Sequence, residues 1–560
     1  MAASDLQQLI EQRTVVDQCA PQLSPGEYDF GDILDGPAVM ARTALLTLLL
    51  LTLTACGVNP VTGKRELQFV SEAQELQIGE QQYAPTRQSE GGDYKLLPEL
   101  TAYINEIGQK LAAVSDRKLP YEFVVLNSSV PNAWALPGGK IAVNRGLLPE
   151  LHNEAELAAV LGHEIVHAAA RHGAKAQERG TLLQAGIAVA TIGAAVGGAD
   201  QSVAGLVIQG AGLGAQLVQT RYGREQELEA DEYGMKYMKN AGYDPWGAVT
   251  LQEQFVRLSQ ESGAKPQSFI EGLFASHPPS QERVEKNKAH AEALGRGGES
   301  GDARYAARVK PLLDMKPAYD KHDKALAAAR KKEYAEARSL ATEAAGAVPK
   351  EGRFQQTLGE IALAEKDEKK AIDHFEKAIQ LDPDYFGSYL GAGVAQYRAG
   401  NKARAEELLG QSAKLLPTAP AAYYLGELAK GRGDTQKAMQ YYQAAAGSQS
   451  EIGQAAAGEL VRMDLPQNPG NYVAAAGQLD ATGRVVLVIQ NRAPIRLSDI
   501  LVTPVLVNAA GQIVRTGSTI RITQPLASSQ QVAVDAGIGA LPQEQLQALR
   551  FRVDGARAAE

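Results

Sequence analysis

His163-Glu164-Ile165-Val166-His167 is the segment of this 560-residue chain whose residue types and spacing are best suited to chemistry. On a helix, residues four apart share a face, so two imidazoles can grip one ion while the Glu164 carboxylate stands beside it. Zinc held there would bring the pKa of a bound water toward neutrality, and Glu164 would take the proton as hydroxide attacks a peptide carbonyl. The whole chain has eight histidines, so a chance match to this pattern is on the order of one in a hundred. An open catalytic site needs a third protein ligand. Glu227 and Asp231, in Arg224-Glu225-Gln226-Glu227-Leu228-Glu229-Ala230-Asp231, are four apart, so one can bind the ion while the other supports a ligand histidine. Spacing leaves the assignment open, since such runs are also the mark of a solvated charged helix. Cys19 and Cys56 are the two cysteines, which excludes a disulfide framework and a cysteine metal site. His152, His172, His290, His322 and His374 read as surface or helix residues with no assigned role.

These residues need elements to hold them. Glu154 to His172 is a continuous helical pattern with Leu157, Val160, Leu161, Ile165 and Val166 on neighbouring faces. Helices are also expected over Glu72 to Tyr83 and Leu97 to Val114. Tyr121 to Leu126 and Lys140 to Val143 read as strands, and with Pro137-Gly138-Gly139 between them the expected product is a hairpin. Residues near Trp134 to Val143 would then offer a strand edge beside the metal, to which an extended substrate adds through its backbone with little sequence selectivity.

A chain of 560 residues is too long for one core and implies two to four domains. Its net charge of −9, without long single-sign runs, gives no footprint for nucleic acid. From Met40 a cationic start, a short apolar run and Leu53-Thr54-Ala55-Cys56 read as a secretory signal over 40–55. Residues 1–39 are then expected to be missing from the mature protein. Residues 180–219 are rich in glycine, alanine and aliphatic residues, in pieces too short for a membrane span. They read as two buried or membrane-touching helices. Between 315 and 450 a period of 34 links Ala337, Ala371 and Ala405, and likewise Pro349, Pro383 and Pro417, which is the tetratricopeptide signature. Phe375 and Ala378 fall on its aromatic and small positions, and a looser unit carries Ala438, Tyr442 and Ala445. Short β-prone runs over 467–555, including Val485 to Ile489, Ile500 to Val507, Gln512 to Val514 and Ser518 to Ile522, predict a small β-sandwich. The expected fold class is therefore α+β and mainly helical: a zincin-like domain over 56–310, an α-solenoid of repeats and the β-sandwich.

The His-Glu-x-x-His motif, the downstream Glu-x-x-Ala-Asp and the Pro-Gly-Gly turn resemble the HtpX-like and BepA-like zinc metallopeptidases, gluzincins related to the CAAX prenyl proteases. Asn59-Pro60-Val61-Thr62-Gly63, Ser71-Glu72, the run Asn132 to Gly139, and Ser276-His277-Pro278 followed by Arg283 also look like this family. The resemblance covers about residues 57 to 300. It implies His163, His167 and Glu227 as ligands of one zinc ion per chain, Glu164 as catalytic base and Asp231 as support behind a ligand. It also implies that His277 approaches the metal, to cap the site or to stabilise the oxyanion. Leu-Thr-Ala-Cys resembles the bacterial lipobox, which implies a lipidated Cys56 and tethering to the periplasmic face of the outer membrane of a Gram-negative bacterium. A repeat array after the protease resembles the BepA-like branch, whereas the C-terminal β-rich segment departs from it. The expected function is a zinc metalloendopeptidase for unfolded or misassembled periplasmic and outer-membrane proteins, with the repeats recruiting protein partners. The alternative is a periplasmic chaperone or assembly scaffold with a latent protease site.

Overall fold

A computed structural model describes residues 56–176, 178, 222–262, 271–508, 510–540 and 543–559. The expected signal peptide, the segment before it and the apolar stretch 180–219 lie outside these residues. Among the described residues no helix is long and apolar enough to cross a membrane. The chain divides into two units.

The first unit contains the described residues up to Ile361 together with Lys377–Tyr385. It opens with a small antiparallel pair, β1 (Cys56–Val58) and β2 (Arg65–Leu67). In the loop between them, Asn59 Oδ1 accepts from the backbone N–H of Val61 and Thr62 at 2.9 and 3.2 Å, and Gly63 closes the turn with φ +70°. Ser71 then caps α1 (Glu72–Ser89) in a reciprocal capping box with Gln74, and α2 (Pro98–Ala112) follows.

A three-stranded sheet comes next: β3 (Glu122–Leu126), β4 (Ala133–Leu136) and β5 (Lys140–Asn144), in the order β3-β5-β4. This corrects the expected hairpin. β3 and β5 pair in parallel, Glu122 opposite Lys140, because the intervening residues form a strand of their own. The hairpin is β4 with β5, turned by Pro137-Gly138-Gly139, and both glycines have φ +82°, which side chains disfavour.

Helix α3 (Glu154–Ala169) is buried along its whole length and capped by Asn153, whose side chain accepts from Glu156 N–H at 3.0 Å. The expected continuous helix to His172 is broken. Arg171 takes a left-handed φ of +62°, and helix resumes at residues 172–176. Buried Glu75 holds this break. Its carboxylate accepts from Arg171 Nε at 2.9 Å and, in two bonds of 2.9 Å, from Arg117. Glu75→Ala would take the buried carboxylate from both guanidinium groups, leaving Arg117 with Glu72 at 3.4 Å and Arg171 with the Val70 carbonyl, and a loss of about 3 kcal/mol is expected. Urea unfolding of wild type and variant checks this.

Helices α4 (Arg224–Asn240), α5 (Trp246–Ser262), α6 (Glu271–Ser276) and α7 (Gln281–Leu294) complete the surroundings of α3. α3 and α4 cross backbone to backbone at Gly162 and Gly234. A Cβ on Gly234 would stand 3.0 Å from His163 N, and one on Gly162 would stand 3.1 Å from Gly234 O. Small residues at this crossing bring the acidic face of α4 within hydrogen-bond reach of the α3 histidines. One hydrophobic core runs from Val61 through α2, α3 and α4 to α8 (Asp302–Arg330), α9 (Tyr334–Ala347) and α10 (Gly352–Ala364). Buried His322 lies in this unit, its Nε2 2.8 Å from Thr357 Oγ1, so it is not a surface residue.

The repeats continue through α11 (Glu368–Leu381), and Ala337, Ala371, Ala405, Phe375 and Ala378 are all fully buried. Pro349, Pro383 and Pro417 fall between helices. In the second unit, α12 (Phe386–Arg398) packs on α13 (Lys402–Leu415), α14 (Ala419–Gly431) on α15 (Thr435–Ala446), and α15 on α16 (Glu451–Asp464). Gly391 lets the Phe375 ring lie against α12, where a Cβ would meet it at 2.2 Å. The looser unit is genuine: Ala438, Tyr442 and Ala445 are fully buried.

The C-terminal part consists of two antiparallel sheets sharing one core. One joins β6 (Val473–Leu479), β7 (Arg484–Asn491) and β11 (Gln531–Ala540). The other joins β8 (Leu497–Val507), β9 (Ile513–Thr516), β10 (Ile520–Ile522) and β12 (Leu549–Ala558). Val485, Leu487 and Ile489 alternate inward and meet Leu497, Ile500 and Val502 in that core. β6, β11 and β12 carry glycine or isolated charges, which concealed them in the sequence.

Candidate metal centre

One turn of α3 separates His163 from His167, and both point at Glu227 on α4. His163 Nε2 and His167 Nε2 are 3.0 Å apart. Glu227 Oε1 lies 3.4 Å from His167 Nε2, and its Oε2 lies 3.5 Å from His163 Nε2. His277, just after α6, brings Nδ1 to 3.2 Å from His163 Nε2 and 3.0 Å from Glu227 Oε1. Among the described residues, His163, His167, Glu227 and His277 form the group able to hold a metal ion, with one ligand atom from each inside 4.8 Å, and all four are buried.

The size of this cluster is that of a metal site. A tetrahedron with bonds of about 2.0–2.1 Å has edges of about 3.3–3.4 Å, and the contacts of 3.0–3.5 Å among these side chains, counting both Glu227 oxygens, lie in that neighbourhood. The donor set of imidazole nitrogen and carboxylate oxygen suits zinc. Lone pairs crowded this closely are stabilised when a cation sits between them.

Glu164 follows His163 and is 2% exposed. Its Oε1 is 3.5 Å from His277 Nε2, and its Oε2 is a buried oxygen without a hydrogen-bond partner among the described residues. Burial raises its pKa, and the nearby His277 and His163 only partly offset this. A carboxylate raised from its usual range toward neutrality is suited to proton transfer.

Asp231, one turn after Glu227 on α4, receives His163 Nδ1 at 2.9 Å. Arg283 on α7 grips both of its oxygens, through Nε and Nη2 at 2.7 Å each, and reaches Glu227 Oε2 at 2.8 Å. Burial alone would raise the Asp231 carboxyl, but the Arg283 guanidinium and His163 hold it below the ordinary range. For His163, burial disfavours charge, yet Glu227 and Asp231 together push it up to about 10. The same field favours a bound cation.

The structure therefore brings together His163, Glu164, His167, Glu227, Asp231 and His277, with Arg283 beside them. Two neighbours carried no signal in spacing. Tyr222, immediately before α4, stacks on His167 with ring centroids 3.9 Å apart and lies 5.5 Å from the His277 ring. His172, read from sequence as a surface or helix residue without a role, is fully buried with Nδ1 2.9 Å from His167 Nδ1.

A His-Glu-x-x-His helix crossed by a carboxylate helix, followed by tetratricopeptide-like helix pairs, defines the class of metallopeptidases joined to a repeat array. The chain belongs to peptidase family M48: the family profile "Peptidase family M48" matches residues 98–291, and a "Tetratricopeptide repeat" profile matches residues 362–428. The chain is 30% identical to "Metalloprotease LoiP" of Escherichia coli over 35% of its own length and 71% of that protein. It is 31% identical to "Putative beta-barrel assembly-enhancing protease" of Vibrio cholerae, over 40% of this chain and 43% of that one. To "Mitochondrial metalloendopeptidase OMA1" of Schizosaccharomyces pombe it is 32% identical, over 40% of this chain and 64% of the other. The chain thus spans less than two thirds of the length of the last two relatives.

Proposed function

We propose that this chain is a zinc metalloendopeptidase that hydrolyses unfolded or misassembled polypeptides. His163, His167 and Glu227 are the ligands of one zinc ion, Glu164 is the general base and Asp231 fixes His163. The observation that carries this reading is the buried cluster of His163, His167, Glu227 and His277, in which one ligand atom from each lies within 4.8 Å of the others. Zinc, when bound, supplies a Lewis acid that polarises the scissile carbonyl and eases the ionisation of water. Glu164 Oε2, which has no hydrogen-bond partner among the described residues, takes the proton of the attacking water and later returns it to the leaving amine. Asp231, anchored by Arg283, accepts Nδ1–H of His163 and so keeps the Nε2 lone pair facing the metal.

His277 is the fourth member of the cluster, beside His163 and Glu227, where a catalytic zinc would need its open position. We read it as a cap that a bound client displaces, which leaves room for the second reading, an assembly scaffold with a latent protease. To separate them, a reduced, unfolded polypeptide is incubated with the zinc-loaded protein and its fragments are identified by mass spectrometry. New termini at many unrelated sequences support the endopeptidase, and an intact polypeptide favours the scaffold.

Relatives named for β-barrel assembly support a role in outer-membrane protein quality control, with the repeats binding protein partners. In this reading Cys56 carries the lipid anchor at the periplasmic face of the outer membrane. β4 is an edge strand, paired with β5 and packed near α3, which supports the reading that an extended substrate adds there once its buried edge is uncovered. Peptide substrates carrying one backbone N-methyl group, moved stepwise along the chain, test this. Methylation at alternate positions is expected to lower kcat/KM about 2–10-fold, the worth of one hydrogen bond. Equal cleavage at every position would remove the strand-addition proposal.

A further inference from the structure

The two metal-facing histidines are held at their Nδ1 atoms by different groups. His163 has the carboxylate of Asp231, which α4 supplies and Arg283 anchors. Among the described residues no carboxylate is hydrogen-bonded to this atom of His167. Its Nδ1 instead meets Nδ1 of His172 at 2.9 Å. From this geometry we infer that His172 is the positioning residue of His167, one link in a side-chain relay that ends on Glu229 and Asn59.

The direction of the relay follows from lone pairs. For Nε2 of His167 to face a metal it must be unprotonated, so Nδ1 carries the hydrogen and donates it. The acceptor is then the Nδ1 lone pair of His172, whose own hydrogen therefore lies on Nε2. That atom is buried, makes no hydrogen bond among the described residues and faces Glu229 Oε1 at 3.4 Å. Glu229 Oε1 accepts from Asn59 Nδ2 at 2.9 Å, and Asn59 is fixed in turn by the N–H groups of Val61 and Thr62. The imidazole links run from the ring that faces the metal to Glu229, and the links from the β1–β2 loop run the other way, so donors converge on the Glu229 carboxylate from both sides.

The backbone is shaped to make this contact. Helix α3 would carry residue 172 past His167, but Arg171 turns the chain into the left-handed region, which a residue with a side chain disfavours. Glu75 and the Val70 carbonyl hold Arg171 there. The turn leaves His172 fully buried, with its ring centroid 4.9 Å from that of His167. His172 also lines a cavity of about 820 Å³ whose wall includes Glu229, Lys175 and His290. The far end of the relay thus borders a space outside the catalytic cluster.

The inference rests on His167 being a zinc ligand, and its test reads zinc binding rather than cleavage. In His172→Asn, the side-chain oxygen can take the place of Nδ1 and still accept from His167. His172→Phe keeps a ring but has no acceptor. Zinc affinity is measured for the full chain by competition with a chromophoric chelator, alongside the visible spectrum of the cobalt-substituted protein. His172→Phe is expected to bind zinc about 10–100-fold more weakly and to alter the cobalt spectrum, whereas Asn restores most of both. Should Phe fail to fold, Glu229→Ala, which leaves the His167 contact intact, is expected to weaken zinc several-fold, and combining it with His172→Asn should cost less than the two losses multiplied. Equal affinity in wild type and Phe, equal loss in Phe and Asn, or unchanged zinc binding in Glu229→Ala overturns the relay. A wild-type chain that binds no zinc instead overturns the proposed function.

Discussion

Glu164→Gln is expected to bind zinc as tightly as wild type and to cleave an unfolded polypeptide at least about a thousandfold more slowly, within the 10²–10⁴ that a positioned general base contributes. The substitution is nearly isosteric, and Glu164 stands outside the set of converging ligand atoms, so the cluster of His163, His167 and Glu227 keeps its shape. What disappears is a buried carboxylate oxygen beside the ligand atoms that has no hydrogen-bond partner among the described residues. An amide in that place cannot accept a proton near neutral pH. Steady-state cleavage assays on metal-matched samples check this, and retained activity would show that some other group acts as base.

Glu227→Ala is expected to have the second large effect, this time on the metal itself. Burial works against charge on Glu227, yet the carboxyl is held well below its usual range, with His277 and His163 the main opposing influences. Its two oxygens touch all three imidazoles of the cluster and Arg283. Removing it takes away a ligand atom and the negative charge that compensates the cation. It also leaves Arg283 with Asp231 as its one carboxylate partner in the cluster. Zinc affinity should fall roughly a thousandfold or more, beyond the ~10–100-fold that loss of a supporting hydrogen bond costs. Isothermal titration of the metal-free protein measures it, and an unchanged affinity would reassign the third ligand.

Much of this site was legible in the chain because it lies on two helices, where spacing maps directly onto faces. Four-residue separations announce His163 with His167 and Glu227 with Asp231. The crossing that joins the two pairs depends on Gly162 meeting Gly234, a tertiary fact that no local pattern records. His172 escaped for a similar reason. Its position looks like one more turn of α3, and only the left-handed Arg171, pinned by Glu75 from a distant helix, redirects it under His167. Tyr222 belongs to no periodic segment. The repeats were readable from alanines and prolines at one period, since each small residue must be buried where helices touch. The expected hairpin failed because β4 is short and wholly buried, without the alternation that marks a half-exposed strand.

The most direct test of the central claim is a zinc titration of metal-free protein, followed by cleavage of an unfolded polypeptide. We expect no cleavage without metal, activity rising with added zinc, and a plateau at one equivalent per chain. Full activity in the metal-free protein, or a plateau reached with no zinc retained at His163, His167 and Glu227, would contradict it.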